Sequence, residues 1–231
     1  MTGLPILPRL FKISNMKYWL ILCLFLNGNC LLAQVIPVGF IQKGTLPITG
    51  VTIGTQIWSN RNLEVSTYRN GDPITFASNA TQWNAAKNAG TGAWTYYNWD
   101  AANGATYGKL YNWYAVNDSR GLAPLGWHIP TKAELSTLAT NNSASSLKST
   151  SADWGVNYGT NSTGFTGLPG GSLYNNGSFA DKGTSGWFWS SDYDPVNTSN
   201  ANWRLLHSTA GFVDIGSYSK AWGMSVRLVK D

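Results

Sequence analysis

A chain of 231 residues has room for one domain of about 180 residues and a targeting segment. Only 12% of its residues are charged while 13% are aromatic, and it carries 25 glycines and 12 tryptophans. That composition argues against a helical cytosolic enzyme and for a loop-rich, partly β, extracellular domain, and the formal charge of +5 rests on 16 Lys and Arg against 11 acids.

The first residues account for most of that charge. Lys17 precedes an apolar run from Tyr18 to Leu26, and Ala33 supplies a small residue for cleavage. Residues 1–33 therefore read as a signal peptide, with Met16 as an alternative start. The apolar run is too short to span a bilayer, so no transmembrane helix is expected after cleavage. Cleavage removes Arg9, Lys12 and Lys17 and no acid, leaving 13 bases against 11 acids. The residual charge gives no support to a nucleic-acid partner. Both cysteines, Cys23 and Cys30, leave with the leader, so disulfides and Cys-based zinc sites are excluded from the mature chain. Asn27-Gly-Asn before Cys30 is a poor lipobox, which makes a lipid anchor there the lesser alternative.

Residues 34–50, with two prolines and three glycines, read as a linker. Positions 51–57 alternate, with Val51, Ile53 and Ile57 on one face, and predict a strand closed by Trp58. Residues 62–65 predict a second strand, and Asn70-Gly a turn. Residues 79–89 predict a short helix with Trp83 inward. Trp94, Tyr96, Tyr97 and Trp99 form a dense aromatic patch, after which Asn103-Gly turns the chain.

The central stretch runs from Tyr107 to Thr131. Leu110, Trp113 and Tyr114 are spaced for a buried turn of helix or a strand edge. Asn117-Asp-Ser-Arg-Gly is turn chemistry. Residues 126–131 form a short apolar strand. Thr131 with Glu134 is a capping box opening a helix over 132–140 that turns Leu135 and Leu138 inward. A second short helix is expected over 143–150, then an irregular segment anchored by Phe165. Asn175-Asn-Gly signals a hairpin with Phe179 across it. Trp187 and Trp189 share a strand face. Residues 192–202 read as a polar loop, with strands from Trp203 and Gly211. Residues 223–230 alternate, with Met224, Val226 and Leu228 on one side, and predict a strand tucked into a sheet.

The run YGKLYNWYAVNDSRGLAPLGWHIPTKAELSTL resembles the core motif of the Fibrobacter succinogenes major paralogous domain family. Three further blocks match in order: VTIGTQIWSNRNLEVSTYRNGDPI from Val51, STGFTGLPGGSL from Ser162, and WFWSSD with GMSVRLVKD between Trp187 and Asp231. The family is secreted, is common in Bacteroidetes-type bacteria, and is related to C-type-lectin-like and formylglycine-generating-enzyme-like folds. The resemblance thus implies an α+β fold: a single C-type-lectin-like domain over 51–231, with two short helices, small antiparallel sheets and long loops. Many members place cysteines near Ala123 and Leu228, and this sequence has neither. Formylglycine-generating chemistry depends on active-site cysteines, so it does not carry over.

Little else points to catalysis. His128 reads as a hydrogen-bonded structural histidine. No Gly-x-Ser-x-Gly elbow is present. Asp192 and Asp194 are the nearest approach to a glycosidase carboxylate pair, but neighbouring loop acids are more often solvated. The oxygen-rich residues 192–202 would suit calcium, yet they lack EF-hand spacing, and no cofactor is expected. The favoured reading is a non-enzymatic, secreted or surface-displayed module that binds an extracellular glycan or a protein ligand. In lectin-like folds the ligand face lies in the late loops and strands. That places hydrogen bonding on Asp192, Asp194, Asn200, Asn202, Arg204 and His207, and stacking on Tyr193 and Trp203, joined by Trp94, Tyr96 and Trp99. The alternatives are a polysaccharide hydrolase and a structural or adhesive module with no small ligand.

Overall fold

The computed structural model describes residues 48–209 and 211–231, together with a strand pair, Phe25–Leu26 against Asn29–Cys30. That pair belongs to a compact unit, Met1–Ile41, separate from the unit Gln42–Asp231. The signal-peptide reading, apart from that pair, and residues 34–47 of the linker lie outside the described residues. No helix among the described residues is long and apolar enough to cross a membrane.

The second unit mixes helices and sheets, as the α+β reading expects. Strands β1 (Gly50–Ile53) and β2 (Gln56–Ser59) form a hairpin. The single strand expected over 51–57 is broken because Gly54 takes φ +62°, a left-handed turn that glycine adopts without strain. Tyr68 N–H bonds Asp72 O around the Asn70-Gly turn, but only an isolated bridge, Thr67 to Pro73, joins the flanking chain. Strand β3 (Thr75–Phe76) leads to helix α1 (Ala80–Ala89), where Asn79 Oδ1 accepts the Gln82 N–H and Trp83 is buried. Strand β4 (Ala93–Thr95) pairs with β3 and with β5 (Leu110–Tyr111). Asn103 and Gly104, expected in a turn, instead lie inside helix α2 (Ala101–Tyr107), because Asp100 caps its first turn. Helix α3 (Trp113–Val116) follows β5 directly, so the central stretch is both strand edge and helical turn.

Strand β6 (Trp127–His128) precedes α4 (Lys132–Asn141), which starts on the full Thr131–Glu134 capping box and buries Leu135 and Leu138. Helix α5 (Ala144–Leu147) is shorter than the 143–150 expected. The irregular segment after it buries Phe165. The remaining strands are β7 (Gly170–Leu173), β8 (Phe179–Lys182), β9 (Ser185–Tyr193), β10 (Asn200–His207), β11 (Gly211–Ser219) and β12 (Val229–Lys230).

Three sheets result: β8-β7-β9-β10-β11, β1-β2-β12-β6 and β3-β4-β5. They are not purely antiparallel, since β7 meets β9 and β3 meets β4 in parallel. Val229 sits between Trp58 and His128, so the last strand is tucked into a sheet as expected. The alternation expected over 223–230 is not realised as two faces. Met224, Ser225, Val226, Arg227 and Leu228 are all buried, because this segment threads between β5, β7 and β9 through single bridges.

Polar cross-links hold the layers together. Arg227 is fully buried, and its hydrogen-bond partners among the described residues include no carboxylate. Its Nε donates to Asn62 Oδ1 (2.7 Å), its Nη1 to Ser59 O (2.8 Å) and Phe165 O (2.6 Å), and its Nη2 to Thr166 O (2.8 Å). Asn62 Nδ2 donates onward to Tyr107 O and Ser225 Oγ. Indole N–H groups do similar work: Trp83 bonds Ala221 O, Trp113 bonds Ser190 O, Trp154 bonds Gly167 O and Trp189 bonds Tyr111 O. Each of these four rings therefore supplies apolar area and one directional tie.

Candidate functional site

The polar loop expected over 192–202 is shorter than its composition suggests: Tyr193 still belongs to β9 and Asn200 already belongs to β10, leaving 194–199 as the connection, while the strand expected from Trp203 is present. Strand β10 pairs on both sides, with β9 and β11, which draws its side chains inward. Asn202, Trp203 and Arg204 are 6%, 6% and 9% exposed. The Trp203 ring stacks on Tyr218 at 5.0 Å, Tyr218 stacks on Trp222 at 4.1 Å, and Trp222 meets Tyr174 at 4.3 Å. The column is closed on itself, so Trp203 offers no free face for stacking.

The polar members of that segment serve the fold. Asp192 accepts the Lys132 N–H at the start of α4. Asp194 accepts N–H groups from Val196 and Asn197 and the Ser217 hydroxyl, and those bonds hold its carboxyl below the usual range. Asn202 Nδ2 donates to Tyr193 O (3.0 Å), and Asn200 Nδ2 to Ser217 Oγ (3.4 Å). His207 Nδ1 accepts the Thr209 N–H at 3.1 Å. Asp192 and Asp194 therefore point into separate caps rather than one pocket. Tyr193 remains outward, 53% exposed, with the Lys220 ammonium 5.8 Å from its ring. Among the described residues no group of three or more His, Cys, Asp and Glu is placed to hold a metal ion.

The 94–99 patch divides in two, because Asn98 and Trp99 take left-handed backbone (φ 57° and 58°) and turn the chain. Tyr97 and Trp99 pack on Phe179 of β8, at 5.0 and 4.8 Å. Trp94 and Tyr96 pack instead with Phe76, at 4.5 and 6.0 Å. Trp94 is 8% exposed and forms a floor, and Phe76, 44% exposed, presents its ring to solvent. A groove of about 440 Å³ runs along Phe76 between β3 and α1, lined also by Gln82, Ala85 and Thr91.

On the other side of Tyr96 lies a cavity of about 300 Å³, walled by Glu64, Tyr96, Ala101, Gly104, Ala105 and Lys109. Gly104 makes this wall possible: a Cβ there would stand 2.3 Å from the Tyr96 ring. Lys109 is 5% exposed, and its ammonium sits 3.7 Å above the Trp94 ring centre. Burial pushes its pKa down to about 8, against the opposing pull of Glu64. Neither side chain has a hydrogen bond or ion pair among the described residues. A cation, a carboxylate and an aromatic ring thus border one small space with no hydrogen bond or ion pair joining them among the described residues.

Sequence reasoning selected Tyr96 and Trp94 but missed Lys109, Glu64 and Phe76. One signal was available. Glu64 stands between the core residues Leu63 and Val65, and Lys109 directly precedes Leu110 and Tyr111. A charge inside an apolar run is costly unless something uses it.

His128 behaves as expected of a structural histidine. Its Nδ1 bonds Asp231 Oδ1 at 2.8 Å and its Nε2 bonds Glu134 Oε1 at 2.9 Å, linking β6, α4 and the residue after β12. Burial opposes its charge, but the two carboxylates outweigh it and raise its pKa.

Comparison with curated proteins and with solved structures returns no match. The family model of the Fibrobacter succinogenes major domain matches residues 51–230, from β1 to β12. The four motif blocks within that span meet physically at Asn62 and Arg227, which tie together Ser59, Tyr107, Phe165, Thr166 and Ser225. With most of its length matched, this chain belongs to the Fibrobacter succinogenes major domain family.

Proposed function

We propose that this chain is a non-catalytic, secreted or surface-displayed binding module of C-type-lectin-like build, and that it recognises carbohydrate through the Glu64–Tyr96–Lys109 cavity. The observation that carries this reading is Glu64 and Lys109 in one wall beside Tyr96, neither with a hydrogen bond or ion pair among the described residues. A sugar hydroxyl both donates and accepts. It donates to the Glu64 carboxylate and accepts from the Lys109 ammonium, completing a bridge that the protein leaves open. Tyr96 gives the apolar ring face contact area at low entropic cost, and exposed Phe76 extends that surface along the adjacent groove. The signal-peptide pattern read in residues 1–33, Lys17 before an apolar run, supports export, where glycans are met.

A glycosidase needs a second carboxylate opposite the first. The cavity wall carries Glu64 as its carboxylate, and Asp192 and Asp194 are engaged elsewhere. A glycan array probed with the chain, its Lys109→Met variant and its Glu64→Gln variant tests the reading. Binding lost in both variants supports it. Binding by neither the chain nor any variant favours a structural or adhesive module, and turnover of any glycan abolished by Glu64→Gln overturns the non-enzymatic assignment.

A further inference from the structure

Among the described residues two lysines are almost wholly buried, and they are treated differently. Lys148, 6% exposed, donates to Asn157 O at 2.7 Å and to Ser208 O at 2.9 Å. Lys109, 5% exposed, has no such acceptor among the described residues. Its ammonium touches the Trp94 face and borders a cavity open to small molecules, with Glu64 in the same wall.

We propose that Lys109 is an amine nucleophile that captures small aldehydes in this cavity as an imine. The neutral amine adds to the carbonyl carbon. A C–N bond forms, and the C=O π pair moves to oxygen, which takes a proton while the nitrogen gives one up. The carbinolamine then loses water and leaves the imine. No electron is gained or lost overall, and water is the only other product. Glu64 is the neighbouring group that can relay the proton. Burial and the lack of hydrogen-bond acceptors among the described residues favour the uncharged amine, the usual means of activating a lysine, and outweigh the opposing pull of the Trp94 face and Glu64. Its pKa of about 8 leaves roughly a tenth of the amine neutral at pH 7, against below about a thousandth for an ordinary lysine. Lys148 lacks this potential despite its burial, because two carbonyls hold its protons in place.

The inference uses the same cavity as the carbohydrate reading but does not rest on it. The test is brief exposure of the purified chain to propanal with cyanoborohydride at pH 7, followed by peptide mapping of propylated lysines. Lys109 is expected to be modified at least about tenfold faster than the exposed Lys132 and Lys230, in line with its larger neutral fraction. Lys109→Arg removes the fast site, and Glu64→Gln slows it. Equal labelling of Lys109 and the exposed lysines overturns the proposal, and the wild-type map alone decides this whether or not the variants fold. A chain that binds glycan without fast labelling loses this inference and keeps the other. Fast labelling without glycan binding does the reverse.

Discussion

Arg227 Nε donates to Asn62 Oδ1 at 2.7 Å, joining two residues 165 positions apart in the sequence. The same guanidinium reaches three backbone carbonyls, at Ser59, Phe165 and Thr166, and lies over the Phe165 ring at 4.3 Å. Burial pushes its pKa down to about 9, which still leaves it charged at neutral pH. With no carboxylate among its described partners, the four acceptor dipoles and the Phe165 face offset the desolvation. Arg227→Met strands those acceptors in a dry interior, at a cost of about 3–5 kcal/mol. Arg227→Lys keeps the charge but cannot span four acceptors, so it costs about 2–3 kcal/mol. Urea unfolding midpoints check both values.

The Tyr96 wall depends on the missing side chain at Gly104. Gly104→Ala puts a methyl group 2.3 Å from the ring, so Tyr96 or helix α2 must shift. We expect a loss of about 1–3 kcal/mol and weaker glycan binding. Thermal unfolding and a glycan titration of the same variant separate the two effects.

His128 gives the fold a pH dependence of known sign. Its folded pKa is raised, so its contribution is complete below the unfolded value near 6.5 and fades as pH rises through the folded value. For Glu134, burial is outweighed by bonds from Thr131 and His128, and its pKa is lowered. Its contribution is present above its unfolded value and fades as pH falls through the folded one. The pair therefore stabilises most in mildly acidic solution. His128→Gln should lower Tm most near pH 5.5 and least above pH 8, with a small effect throughout because His128 is 40% exposed at its side chain. Tm measured across that range checks the trend.

Asp192 and Asp194 make a negative prediction. Asp192→Ala removes the acceptor for the Lys132 N–H and costs about 1 kcal/mol. Glycan binding should be unchanged, as in Asp194→Ala, since neither carboxylate faces the cavity. Titrations of both variants check this.

Local signals hold where a side chain itself caps the backbone, and fail over 62–65, expected as a strand and irregular, and at Asn103-Gly, expected as a turn and helical. Asn79 before Trp83 and Thr131 before Glu134 mark helix starts with their own side chains, and both helices begin there. Asn175-Asn-Gly turns β7 into β8 as expected. Other failures depended on distant partners. Residues 200–202 look like a loop by composition but become central strand through β9 and β11. Residues 223–229 show two apparent faces, yet both are covered, because neighbours from three sheets close over them. The aromatic patch was legible as rings and not as a site. Its partners Glu64 and Lys109 lie 45 residues apart, and only the fold brings them to one cavity.

The most direct measurement is a glycan titration of the wild-type chain beside Glu64→Gln and Tyr193→Ala. Glu64 lines the cavity, and Tyr193 is the outward member of the alternative face. The cavity account predicts that Glu64→Gln abolishes binding while Tyr193→Ala leaves it intact. Binding that survives Glu64→Gln and disappears in Tyr193→Ala would contradict it and return the ligand to the β9–β10 end.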